Sequence, residues 1–461
     1  MVAADVDVVS HLAHHAAGTS YDALPLPAVE AAKKSILDTL GVILAASGTE
    51  PAVRGVIDLV RETGGTPEST VLAFGDRVPA LMAAFANGAM AHCLDFDDQT
   101  PWGQHSASSI VPAVFAVAER LGGVSGREMI AAVAVGQDVF ARLRRNVGWR
   151  KDWNLSTVLG VFAGAAATAR LLGLTPQTTA HALGVASMQS SGVMEVVAGT
   201  GSNLRALYAG FSAKGAVLAA LLADKGVTGV DRLFEGEYGV FATYFAGNYD
   251  RDAILRDLGK EYQGATTLYK LWPSVGTSHS HIHATIGIVT EHDLSAEDIA
   301  EIRVHVGDYH DLMCRPLEAR RAPTTLVDAK FSLPFLVAVA AVRRNVQVAD
   351  FSAEGLHSSE VLAVAQKVVP VADASLDWKQ ELPLGRVEIV LHDGRRIIRV
   401  GDHVPGNPEA PLTWDDLSRK FVDCAGAAVT PPAGERVEEV MRMTRHLEDL
   451  DDATKVIRLL G

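Results

Sequence analysis

Three things are scarce in this chain, and each scarcity excludes something. Cysteine occurs only at Cys93, Cys314 and Cys424, an odd number of widely separated residues without a CxxC, so a disulfide framework is not expected. Positive charge is in deficit: 41 Lys and Arg against 55 Asp and Glu leave a net charge of -14. That balance argues against nucleic acid and against anionic membrane surfaces as partners. It leaves room for a small anionic substrate, because a few local cations can dominate a closed pocket. Long apolar runs are also missing, each being short or broken by Gly, Thr or a charge, so no membrane span is expected. Asp5 and Asp7 stand where a secretory signal would be basic, which makes a cytoplasmic location the expectation. No internal repeat or low-complexity segment occurs. Gly199–Asn203 is glycine-rich ahead of a helix, but neither GxGxxG nor a Walker lysine pattern is complete there, so nucleotide binding is weakly supported.

What the chain has is helix. Apolar residues step by three and four over 27–46, with Pro27 in the first turn, and helical patterns continue through 79–92, 108–121, 127–144, 156–172, 176–188 and 203–226. No strand-like alternation stands out before residue 265. Beyond it, Ile302, Val304 and Val306 alternate with polar residues, and Val387–Leu391 leads through Asp393-Gly394 into a second strand, a hairpin pattern. Residues 331–342 between them read as a helix. Helical patterns return at 413–426, with Thr413 and Asp416 as a capping pair, and at 434–447. The reading is mainly α: a helical domain (1–264), an inserted smaller α/β domain (265–401), and C-terminal helices (402–461) packing back on the first.

Two clusters carry the chemistry. The first is His92-Cys93-Leu94-Asp95-Phe96-Asp97-Asp98-Gln99, followed by His105, at the end of an alanine-rich and therefore close-packed helix. Buried carboxylates are costly unless paired, hydrogen-bonded or used, although capping the next helix would also account for them. The second is Lys270-Leu271-Trp272-Pro273-Ser274 with His279, His281 and His283. A strand would put the three histidines on one face, as zinc ligands require, but the following apolar spacing favours a helix capped by Ser278, in which only His279 and His283 share a face. Arg205, in a first helical turn, is either a carboxylate fork or a surface ion pair. Trp149, Trp153 and Asn154 are either packing or a pocket wall.

At these motifs the chain resembles the MmgE/PrpD family, which includes 2-methylcitrate dehydratases, cis-aconitate decarboxylases and iminodisuccinate epimerases. The matching pieces are His92–Asp98 with His105, the glycine- and alanine-rich helix at 160–174, Gly201–Ala213, the Lys270–His279 run, Asp328–Pro334, and Pro405–Pro408 ahead of Lys420-Phe421. The resemblance implies a large helical domain with a smaller α/β lid, in a homodimer. It also implies a metal-independent lyase without cofactor, acting next to a carboxylate of a small di- or tricarboxylate. Asp95, His105 and His279 are then expected to be catalytic, with Lys270 also matching directly. Gln99, Asn154, Arg205, Tyr208 and Lys270 are expected to bind substrate. Asn154-Leu155-Ser156 replaces the family's usual His-Pro-Thr, Arg205 and Tyr208 replace a lysine and a histidine, and Gln99 replaces a threonine. A dehydratase of a hydroxy-polycarboxylate is the leading expectation, with a decarboxylase or epimerase as alternative. A metal-dependent hydrolase built on the aspartates, His92 and His105 is the different class to be tested. In either lyase, Asp95, His105, Arg205, Lys270 and His279 are expected to line one pocket.

Overall fold

The structure, a computed structural model, describes residues 6–199, 202–379 and 381–461. Asp5, and Thr200 and Gly201 of the Gly199–Asn203 turn, lie outside the described residues. The molecule is mainly α. Helix α1 (Val8–Gly18) starts on Asp7, whose carboxylate accepts the Val9 amide at 2.8 Å. Helix α2 (Leu26–Thr49) carries Pro27 in its first turn, where the missing N–H costs nothing, and is buried along most of its length. Then follow α3 (Ala80–His92), α4 (Ala107–Arg120), α5 (Gly126–Arg145), α6 (Leu155–Leu171), α7 (Pro176–Ala186) and α8 (Ala209–Asp224). A two-residue ladder, Ser69–Thr70 with Arg77–Val78, lies before α3. It is too short to leave an alternating pattern in the sequence.

Helix α8 packs against α3, α4 and α6, and α4 against α3 and α6, forming the helical core. The stretch Leu204–Asp224 is long and apolar enough to cross a bilayer, which the sequence reading did not anticipate, but 67% of its most apolar window is buried inside the fold. Close packing explains the small residues. A Cβ on Gly210 of α8 would lie 2.5 Å from the Phe85 carbonyl oxygen and 2.9 Å from the Ala89 amide, both in the backbone of α3. Gly210→Ala is therefore expected to push the two helices apart and cost about 1–3 kcal/mol, read as a lower thermal midpoint. An unchanged midpoint would mean that this crossing is not close-packed in solution.

The second texture begins at α9 (His279–Glu291) and includes β1 (Ile299–Val306), α10 (Leu333–Arg343), β2 (Val368–Ala372), β3 (Arg386–Leu391) and β4 (Arg396–Val400). The strand order is β2-β1-β3-β4, with β1 parallel to β2 and the other neighbours antiparallel. Ile302, Val304 and Val306 point to the covered side of β1, as the alternation predicts. Gly394 turns the β3–β4 hairpin with φ 87°, a left-handed conformation suited to glycine. Helix α9 packs on β3, β4 and α10. Finally α11 (Trp414–Gly426), opened by the Thr413–Asp416 capping box, and α12 (Gly434–Arg445) return to α2. Phe421 of α11 sits over Gly41, where a Cβ would come within 3.0 Å of its ring.

Candidate active site

Helix α3 ends at His92, where the Cys93 thiol donates back to the Ala89 carbonyl at 3.1 Å, and the chain turns through Asp95, whose φ of 49° is left-handed. Aspartate is among the few non-glycine residues that enter this region readily. Three buried lysines from distant parts of the chain hold the turn by its carbonyl oxygens. Lys330 donates to Cys93, Lys270 to Asp95 at 2.6 Å, and Lys420 to Phe96 at 2.6 Å. Lys270 also forms an ion pair with the Asp95 carboxylate. Lys420 pairs with Asp38 of α2 at 2.6 Å, donates to the Lys270 carbonyl at 3.0 Å and lies over the Phe96 ring. Of these lysines, the sequence reading gave a role only to Lys270. Lone lysines carry no local pattern.

The three aspartates of the turn do three different things. Asp98 caps α4, accepting the Ala107 amide at 3.1 Å and the Ser106 hydroxyl at 2.9 Å. The capping reading of the cluster therefore holds for this residue. Burial, and then the neighbouring Asp97, push its carboxyl up to about 7. Asp97 lies between two imidazoles, 3.1 Å from Nδ1 of His92 and 3.3 Å from Nδ1 of His105. Burial works against its charge, but the two histidines outweigh it and hold the carboxyl well below the usual range. Asp95 is also fully buried, and Lys270 first, then His105 and His92, keep it ionised.

His105 sits at the junction. Its Nδ1 donates to the Asp98 carbonyl at 2.7 Å, and its Nε2 lies 3.5 Å from the Asp95 carboxylate. Burial disfavours the imidazolium, yet Asp97 and Asp95 more than compensate, and its pKa lies above the ordinary 6.5. His92 behaves oppositely: burial lowers it to about 4, so it is neutral, donating from Nδ1 to Asp97 with Nε2 unpartnered. Its ring lies 4.5 Å from that of His105 and 4.3 Å from that of Tyr208, centroid to centroid.

A cavity of about 60 Å³ opens on this network. Its walls include Asp95, His105, Asn154, Arg205 and Tyr208 from the sequence expectation, together with Trp149. Val275, Tyr309 and Phe331 close it from the other side. The Arg205 guanidinium lies over the Phe331 ring and donates to the Val197 carbonyl, and it forms no ion pair among the described residues. Burial lowers its pKa to about 10, so it remains a cation at neutral pH. Asn154 caps α6 through its side-chain oxygen, accepting the Ser156 amide at 3.1 Å, while its buried Nδ2 has no partner. Burial raises the Tyr208 phenol well above 10, so it is un-ionised and able to donate.

Three expected residues lie outside these walls. Lys270 reaches Asp95 from behind. Gln99 bridges backbone-to-backbone with Leu268 and presses its amide against Gly276, where a Cβ would meet it at 2.0 Å. His279 packs edge-on to Trp272, and burial followed by the Lys270 charge lowers it to about 3. The expected single pocket is thus met by Asp95, His105 and Arg205, but not by Lys270 or His279. A 3-10 turn, Gly276–Ser278, precedes α9, and Ser278 donates to the Val275 carbonyl instead of capping the helix. The three nearby histidines diverge: His281 hydrogen-bonds the His305 carbonyl at 2.8 Å, and His283 is half-buried. No site for zinc forms from them. Tyr309 and Phe331 had no site role in the sequence reading; nothing local marks Tyr309, and Phe331 falls in a matched motif at the start of a predicted helix.

The chain is 28% identical to a cis-aconitate decarboxylase of Aspergillus terreus, covering 98% of this chain and 96% of that protein. It is 25% identical to cis-aconitate decarboxylases of Mus musculus and Homo sapiens, covering 94% of this chain in each case and 89% and 90% of those proteins. The MmgE/PrpD N-terminal domain matches residues 10–252 and the MmgE/PrpD C-terminal domain matches 272–446, the second stretch running through α11 and α12. With both halves matched in order, the chain belongs to the MmgE/PrpD family.

Proposed function

We propose that this protein is a metal-independent lyase that decarboxylates a β,γ-unsaturated tricarboxylate of the cis-aconitate type. The observation that carries the reading is His105, the one histidine among the described residues lining the cavity, with Nδ1 fixed by the Asp98 carbonyl and Nε2 beside the Asp95 carboxylate, itself a cavity wall. Decarboxylation with allylic shift needs one proton donor. The bond to the departing carboxylate breaks, and its electrons form a new carbon–carbon double bond. The old double bond takes the proton from His105 at its far carbon, carbon dioxide leaves, and solvent reprotonates the imidazole. Arg205 binds a remaining carboxylate and stabilises charge as it develops. Asn154 and Tyr208 donate to carboxylate oxygens. Asp95, held by Lys270, orients His105, while Gln99 and His279 support that pair from behind without touching substrate. The names of the relatives favour the same reaction.

Dehydration, the leading expectation from sequence, would need a second acid at the leaving hydroxyl. Asn154 cannot supply a proton near neutral pH, which leaves Tyr208 for that role. In the same proposal residues 265–401, whose Val275, Tyr309 and Phe331 line the cavity, act as a lid over a base formed by 1–264 and the helices of 402–461. A homodimer belongs to the same proposal. The test is incubation of chelator-treated protein with cis-aconitate, 2-methylcitrate and citrate in deuterated water. Carbon dioxide release from the unsaturated acid, with one deuterium in the product and turnover of roughly 1–1000 per second, is the expected result. Water loss from the hydroxy acids without carbon dioxide would give the site to dehydration. Activity lost on chelation and restored by one metal would give it to the hydrolase class.

A further inference from the structure

We propose that His92, Asp95 and His105 form a binding site for a divalent transition-metal ion of the zinc type, and that its occupancy blocks the reaction. One ligand atom from each of the three side chains lies within 4.8 Å of the other two, and all three residues are buried. The His105 Nε2 and Asp95 oxygens are already 3.5 Å apart. A tetrahedral ion with bonds of about 2.0–2.1 Å wants donors roughly 3.3–3.4 Å apart, so only a small closure is needed.

A second observation points to a ligand independently of that spacing. Asp97 contacts Nδ1 of both histidines, at 3.1 and 3.3 Å. This is the outer carboxylate that orients metal-binding imidazoles, because protons fixed on Nδ1 leave Nε2 as a lone pair. The Nε2 of His92 is buried and has no hydrogen-bond partner. Two imidazoles and one carboxylate select zinc, cobalt, nickel or copper over magnesium or calcium. The fourth position opens on the cavity, where water or a substrate carboxylate completes the shell. An ion there takes the Nε2 lone pair of His105, and with it the position from which a proton is delivered.

The metal site rests on the three side chains alone; only its inhibitory effect rests on the decarboxylase reading. The test is titration of the chelator-treated full chain with Co²⁺, followed by visible absorption. One equivalent giving the intense bands of a tetrahedral site is expected. Affinity is expected to fall in Asp97→Asn by roughly 10–100-fold, as loss of an outer carboxylate does, and further in His92→Gln, with far-ultraviolet circular dichroism confirming that both fold. Zn²⁺ is expected to stop turnover and chelator to restore it, while Mg²⁺ has no effect. Weak six-coordinate bands, or binding equally tight in His92→Gln, would overturn the site. If the tetrahedral bands form as described in a protein inactive on every carboxylate tried, the site stands and the functional reading fails.

Discussion

His105→Asn is expected to lower turnover about 10²–10⁴-fold, the range over which a positioned acid–base group acts, while leaving the fold intact. An asparagine amide can still donate to the Asp98 carbonyl that Nδ1 of His105 reaches at 2.7 Å, so the turn keeps its support and loses only its proton donor. The pH profile gives an independent reading. Burial disfavours the charged ring, but Asp97 and Asp95 raise its pKa above 6.5. With the protonated ring as the acid of the proposed reaction, activity is expected to be full below that raised pKa and to fall as pH climbs through it. In His105→Asn the residual rate is expected to lose this alkaline limb. A variant within a few-fold of the native rate, or one that keeps the limb, would remove His105 from the mechanism.

Lys420→Met is expected to have the largest effect on stability. Lys420 and Asp38 form a buried pair, and the same ammonium holds the carbonyls of Phe96 and Lys270. Removing one member of such a pair costs about 3–5 kcal/mol, because the remaining charge is stranded. The loss is read as a large drop in thermal midpoint. The double variant Asp38→Leu/Lys420→Met discriminates: with no stranded carboxylate it is expected to regain much of the midpoint. Its turnover is expected to stay low, since nothing then grips Phe96 and Lys270. A double variant no more stable than the single one would show that the carbonyl contacts, not the ion pair, dominate.

Much of this was legible in the chain. The three- and four-residue steps placed α2 at 27–46, where it runs Leu26–Thr49, and the alternation at 302–306 and 387–391 found β1 and β3. Strand β2 escaped because Pro370 interrupts its pattern; the strand is an edge of the sheet, where proline is tolerated. Helix α1 also escaped the sequence reading, although it packs against α7. Within the site, the acidic turn and His105 stood out because several titratable residues are contiguous. What could not be read was the division of labour among Asp95, Asp97 and Asp98, which depends on which way each carboxylate faces after a left-handed turn. His279 drew attention through its neighbours, yet helical geometry sends His279, His281 and His283 into different surroundings.

The lysine-held turn also dates its own completion during synthesis. Lys270, Lys330 and Lys420 lie 175, 237 and 324 residues beyond the carbonyls they grip. At translation rates of roughly 5–20 residues per second, the last of them is made about 15–65 s after the acidic turn. In that interval α3 and the helices around it can collapse, but Asp95 waits for Lys270 through the first part of it and Asp38 waits for Lys420 through all of it. The partly made chain therefore holds a helical body with unpaid negative charge at its centre. Loop closures this long are slow, so the turn is completed late, only when Lys420 has folded back onto Asp38 and Phe96.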